Sequence, residues 1–94
     1  MILDLTGRTA LVTGGGVGIG AAVAAALTDA GARVAITYRS HPPTEEALTA
    51  LGGPAGRPVA VQLDSADEAA VERSVGDAAA ELGGLDIVVN NIGG

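Results

Sequence analysis

The sequence predicts an α/β chain: a four-stranded parallel sheet in the order 3-2-1-4 with three helices, the first half of a doubly wound arrangement plus one further βα step. Two observations lead to it. Short apolar runs rich in β-branched residues alternate with segments whose apolar residues recur at helical spacing. Between Arg8 and Asp29, twenty residues carry no charge, and within them Thr13-Gly14-Gly15-Gly16-Val17-Gly18-Ile19-Gly20 joins a strand-like run to an alanine-rich one. That stretch is long enough to span a bilayer, but its five glycines and central threonine would leave backbone groups unpaired in lipid, so strand, loop and helix is the better reading.

Thr9 to Thr13 reads as a strand covered on both faces, because Ala10, Leu11 and Val12 form an unbroken apolar run. Ile19, Val23, Ala26, Leu27 and Ala30 then predict the inward stripe of a helix, closed by Gly31 in the left-handed C-terminal position. Arg33 to Tyr38 is the second strand, and His41-Pro42-Pro43 breaks the chain. A short helix follows from Thr44 to about Leu51, ended by the loop Gly52-Gly53-Pro54-Ala55-Gly56. Val59, Val61 and Leu63 mark a third strand by alternation. Ser65-Ala66-Asp67-Glu68 is a capping box for a helix with an inward stripe of Val71, Val75, Ala78 and Leu82, its other face acidic and wet. Gly83-Gly84 stops this helix, and Leu85 to Asn90 is the fourth strand.

Ninety-four residues make one unit, residues 1–94, and 48% apolar content is too high for disorder. With no Phe, no Trp, one Met and Tyr38 as the only aromatic, the core must be built from Ala, Val, Leu and Ile. At this size about two-thirds of the unfolded chain's surface is buried, so a bound ligand or partner would add to stability. Strand four and the inner face of the Ser65 to Leu82 helix are expected to expose apolar surface, hence self-association or a missing C-terminal half. A net charge of −6 with five scattered arginines argues against nucleic acid and anionic membrane as partners. The absence of cysteine excludes disulfides and thiolate chemistry, and Met1-Ile2-Leu3-Asp4 lacks signal-peptide character, so the expected location is cytoplasmic.

The glycine turn is a phosphate cradle. Diphosphate approaches a backbone closely only where Cβ atoms are missing, and the first N–H groups of the following helix are donors at the positive end of a dipole. The alternative is a tight strand-to-helix turn with no ligand. A lysine-dependent phosphate loop is excluded, since the chain has no lysine. An acidic residue about twenty positions beyond the glycines would bond the ribose of NAD. Here the segment is Thr37-Tyr38-Arg39-Ser40, and a guanidinium beside a hydroxyl suits a 2′-phosphate instead, favouring NADP over NAD. Asp64, at the end of strand three, either accepts from an adenine amino group or supports the adjacent helix N-terminus. Asn90-Asn91-Ile92-Gly93, at the end of strand four, either holds a cofactor ribose or satisfies its own turn. His41 is read as a loop residue and no metal site is expected.

Together, Asp4-Leu5-Thr6-Gly7-Arg8-Thr9-Ala10-Leu11-Val12-Thr13-Gly14, the Thr-Gly-x-x-x-Gly-x-Gly segment, Asp64 and Asn90-Asn91-Ile92-Gly93 resemble the N-terminal part of the short-chain dehydrogenase/reductase family, over the whole chain. The closest likeness is to members of the ketoacyl-reductase or glucose-dehydrogenase kind. The resemblance implies a partial Rossmann fold and an oxidoreductase that moves hydride between NADP(H) and a carbonyl or alcohol carbon. By position, Gly14, Gly18 and Gly20 would line the cofactor, with Gly16, Val17 and Ile19 beside them. Arg39 would face the 2′-phosphate between Tyr38 and Ser40, Asp64 and Ser65 the adenine, and Asn91, Ile92 and Gly93 the inner ribose region.

Three departures qualify the likeness. Ile92 stands where the family more often has alanine, and no basic residue lies within Gly15 to Val17. The family's catalytic serine and Tyr-x-x-x-Lys pair, in which lysine lowers the tyrosine's pKa, have no counterpart here: the only tyrosine, Tyr38, is followed at +4 by Pro42. The expectation is therefore a cofactor-binding N-terminal portion without the catalytic half. The alternatives are a non-catalytic nucleotide-binding module or one piece of a split reductase. S-adenosylmethionine-dependent methyl transfer is disfavoured by Arg39 and the Asn-Asn turn.

Overall fold

In the computed structural model, which describes residues 4–14, 18–39, 42–63 and 68–89, strand β1 (Thr9–Val12) is buried at every position. It pairs in parallel with β2 (Arg33–Tyr38) on one side and β4 (Ile87–Val89) on the other. β3 (Val59–Gln62) adds to the far edge of β2, giving one four-stranded sheet in the expected order β3-β2-β1-β4. Three helices, α1 (Gly18–Asp29), α2 (Glu45–Ala50) and α3 (Glu68–Leu82), connect successive strands.

The period-two alternation of a strand divides the core into two layers. Ala10, Val12, Val34 and Ile36 face α1 and α2, where they meet Ala24, Ala32 and Leu48. Leu11 and Ala35 face the other way, onto Ala78 and Leu82 of α3. Pro58 apart, the buried apolar side chains among the described residues are all Ala, Val, Leu or Ile.

Helix α1 matches the expected stripe in part: Val23 and Leu27 pack partly buried against the core, but its centre is shifted toward smaller residues. Its buried residues are Gly20, Ala24 and Thr28, while Ile19 is 76% exposed and Ala26 is also on the wet side. From Gly18 to Leu27 the helix contains no polar residue, so apolar spacing does not distinguish its faces. The face of small residues wins because it permits close approach to the sheet. The helix ends as expected at Gly31, φ +100, where the Ala32 amide donates to the Leu27 carbonyl at 3.1 Å.

Thr28 is a further anchor, its hydroxyl donating to the Leu51 carbonyl at 2.6 Å with the Ala25 carbonyl at 3.0 Å. Helix α2 is capped by Thr44, whose hydroxyl accepts from the Ala47 amide at 3.0 Å. Gly53, in the loop beyond, packs so closely on α1 that a Cβ there would lie 2.1 Å from the Thr28 carbonyl oxygen.

On the opposite face, α3 corrects a second expectation. Its inner side is covered: Ala78 and Leu82 are 0% and 4% exposed, with Val75 packed beside them, because the helix lies across β3, β2 and β1. The Val71 side chain and the capping segment 65–67 lie outside the described residues. Ser74, absent from the expected stripe, is buried and donates to the Gln62 carbonyl at 3.0 Å, tying α3 to the end of β3. The apolar surface expected on strand four is present at Val88, which lies beside Leu11 in register and is 57% exposed.

At the amino ends of the strands, Asp86 staples β4 to β1. Its carboxylate accepts from the Thr9 amide at 3.0 Å and the Thr9 hydroxyl at 3.2 Å, while its own amide donates to the Thr9 carbonyl at 3.0 Å. Arg8 lies 3.9 Å from the same carboxylate in an exposed pairing that adds little.

Two substitutions test this packing. Gly53→Ala forces a Cβ into the Thr28 carbonyl and is expected to lower stability by about 1–3 kcal/mol in urea unfolding. Gly76→Ala on the exposed side of α3 meets no atom within 4 Å. It should raise stability by about 0.5–1 kcal/mol.

Candidate dinucleotide site

In a parallel sheet, crossover connections bring the carboxyl ends of all strands to one side, and ligands bind where the connections diverge in direction. Here that point is between β1, whose chain turns back to β2, and β4, which follows the crossover from β3. Thr13 and Gly14 leave β1, Tyr38 and Arg39 end β2, and Val89 ends β4 on this side.

The first residues of the glycine turn are tied to both neighbouring strands. Thr13 donates to the Val89 carbonyl through its amide at 3.0 Å and its hydroxyl at 3.3 Å. The Gly14 amide donates to the Thr37 hydroxyl at 2.9 Å. Gly14 has φ +66, a left-handed conformation that a side chain would strain, and it swings the chain out of the sheet.

Gly18, φ +58, heads α1. A Cβ built there would meet no described atom within 4 Å, and the bare α-carbon lets a ligand approach the backbone to contact distance. The first turn of α1 carries no acidic residue to oppose an anion. Gly20, the third residue of the helix, is buried, at a point where the lack of a side chain lets α1 close onto the sheet.

Arg39 is exposed just beyond β2, and Tyr38 before it is half-buried. The end of this strand is held by β3: the Leu63 amide donates to the Tyr38 carbonyl at 2.8 Å and the Gln62 side-chain amide to the Arg39 carbonyl at 3.4 Å. Among the described residues Arg39 forms no ion pair, as is also true of Arg33 and Arg73, whereas Arg8 and Arg57 engage Asp86 and Glu45; of the three, Arg39 is the one at the carboxyl end of a strand. The arrangement thus offers helix-head donors, a glycine without Cβ at the helix head and, just beyond the adjoining strand, a guanidinium that has no ion pair among the described residues. These are the groups an anionic dinucleotide with a third phosphate requires.

Of the residues expected to line the site, the structure brings Gly14, Gly18, Ile19 and Gly20 to the head of α1 and Tyr38 and Arg39 to the adjoining strand end. Gly16, Val17, Ser40, Asp64, Ser65, Asn91, Ile92 and Gly93 lie outside the described residues, as do His41 and Asn90. Thr37 was not among the expected site residues. Its signal was a hydroxyl inside a strand otherwise read as buried, where a polar group needs a partner.

The family model for short chain dehydrogenases matches residues 8–94. The chain belongs to the short-chain dehydrogenase family. A probable oxidoreductase of Streptomyces antibioticus is 48% identical over 97% of this chain and 30% of its own length. A dehydrogenase/reductase of Sinorhizobium meliloti superposes with a TM-score of 0.85 at 41% identity, covering 98% of this chain and 37% of that one. A short-chain dehydrogenase of Burkholderia cenocepacia, solved in complex with NADP, gives a TM-score of 0.83 at 46% identity over 96% of this chain and 37% of its own. The chain therefore spans about a third of the length of these short-chain dehydrogenases. Among its described residues no helix is long and apolar enough to cross a membrane.

Proposed function

We propose that these 94 residues are the NADP(H)-binding N-terminal portion of a short-chain dehydrogenase/reductase acting on a carbonyl or alcohol substrate. The observation that carries this reading is Arg39, an exposed guanidinium with no ion-pair partner among the described residues, just beyond the strand whose Thr37 accepts from the first glycine of the turn. The Burkholderia relative's complex with NADP supports the same choice of cofactor. When bound, the nicotinamide would supply or accept hydride. The chain's own part is to hold the diphosphate at the head of α1, to neutralise the 2′-phosphate with Arg39, and to place the ribose region beside Asn91 and Gly93. Cytoplasmic location and a dinucleotide as the small-molecule partner belong to this reading.

Proton exchange with substrate must come from elsewhere. The chain has no lysine, Tyr38 has Pro42 at +4, and the Ser74 hydroxyl is buried and committed to the Gln62 carbonyl.

Fluorescence titration with NADPH tests the proposal. Saturable binding is expected, and Arg39→Asp should weaken it by about ten- to a hundredfold, as for a lost charged hydrogen bond, while leaving NADH binding nearly unchanged. Equal affinity of the variant for NADPH, or no saturable binding by the wild-type chain, would overturn it.

A further inference from the structure

The hydrogen bond from the Gly14 amide to the Thr37 hydroxyl joins two places that a cofactor would touch at once. Gly14 opens the turn that leads to the helix head, and Thr37 lies two residues before Arg39. Thr37 is 2% exposed, in register with Val61 of β3, and the backbone beyond it is bonded to Leu63. Its hydroxyl is therefore held by a rigid strand on one side and holds the turn on the other, across 2.9 Å. On the far flank Thr13 is bonded to the Val89 carbonyl, so the turn's leading residues are fastened to both neighbours of β1.

We infer that Thr37 is a positioning residue that sets the spacing between the diphosphate-binding turn and the 2′-phosphate-binding end of β2. The inference rests on the NADP reading. A ligand anchored at both places gains from its second anchor only if their separation matches its own, so a fixed separation raises the effective concentration of the second anion at its site. Thr37 needs no contact with the cofactor to do this. Loss of its hydroxyl would remove this tie between the turn and the end of β2 without altering either anion-binding group.

The test compares a ligand that spans both anchors with one that reaches a single anchor. Dissociation constants for NADPH and for 2′-AMP, which carries the 2′-phosphate but no diphosphate, are measured on the full chain, Thr37→Val and Thr37→Ser. Thr37→Val keeps the shape of the side chain and removes the acceptor. It should weaken NADPH by about tenfold, the cost of one lost hydrogen bond, and leave 2′-AMP unchanged, with Thr37→Ser restoring NADPH affinity. Equal loss for both ligands would mark Thr37 as merely structural, and no loss for NADPH would overturn the inference while leaving the NADP reading intact. A wild-type chain that binds no NADPH overturns both. Should Thr37→Val fail to fold, amide exchange on the ligand-free wild-type chain decides: a protected Gly14 amide supports the fixed spacing, and rapid exchange at Gly14 overturns it.

Discussion

The whole arrangement depends on the burial of β1. Ala10, Leu11 and Val12 are each 0% exposed, covered by α1 on one face and α3 on the other. A backbone so placed cannot reach water, and each unpaired group would cost a hydrogen bond, so both of its edges must carry ladders. Those ladders align Val12 with Ile36 of β2 and with Val89 of β4. The residues that follow Val12 then emerge with a strand end on either side. The position of the glycine turn is thus a consequence of core burial. The bonds from Thr13 to Val89 and from Gly14 to Thr37 refine a placement that the apolar residues have already made.

Small side chains make that burial feasible in a chain without Phe or Trp. Large aromatics fill space and tolerate wider separations between layers. A core of Ala, Val, Leu and Ile reaches interior packing density only when the layers close up. The inner side of α1 meets this demand with Gly20, Ala24 and Thr28, and the loop after α2 meets it with Gly53, which rests against Thr28. The same closeness places the head of α1 over the end of β1, so the shortage of large side chains and the accessibility of the helix terminus are linked. Both follow from a sequence that is rich in alanine and glycine between Gly14 and Ala32.

Strand order and helix sequence were legible because each strand is a short apolar run and each break has its own chemistry: Gly31 after α1, Pro42-Pro43 before α2, Gly83-Gly84 after α3. The rotation of α1 was not legible. Ile19 and Gly20 are adjacent, both lie in a fully apolar stretch, and the larger one is on the outside. Hydrophobicity alone favours burying Ile19, whereas close packing against the sheet admits only the smaller residue. Ser74 and Thr37 escaped for a related reason. Each reads locally as a polar residue on an apolar element, and each is buried because a specific acceptor or donor, the Gln62 carbonyl or the Gly14 amide, is brought to it by tertiary structure. Arg39 was legible in sequence as a charge after β2, but its lack of an ion-pair partner among the described residues is a fact of three-dimensional placement.

Recruiting a polyanion to a chain with eleven acidic and five basic residues requires that local charge differ from net charge. Fields from exposed groups fall off over about 8 Å at physiological salt, so a ligand senses the few charges near it and little of the total. Among the described residues, no carboxylate lies in the first turn of α1 or at the carboxyl ends of β1, β2 and β4, and Glu45 at the start of α2 is engaged by Arg57. The acidic groups Glu72, Asp77 and Glu81 lie on the wet side of α3. The chain keeps its negative surface, which opposes non-specific attachment to nucleic acid, while the head of α1 and the Arg39 guanidinium beside the carboxyl ends of the strands face no carboxylate among the described residues. On the proposed NADP reading, discrimination between cofactors would rest on a single side chain, because a carboxylate in place of Arg39 would repel a third phosphate.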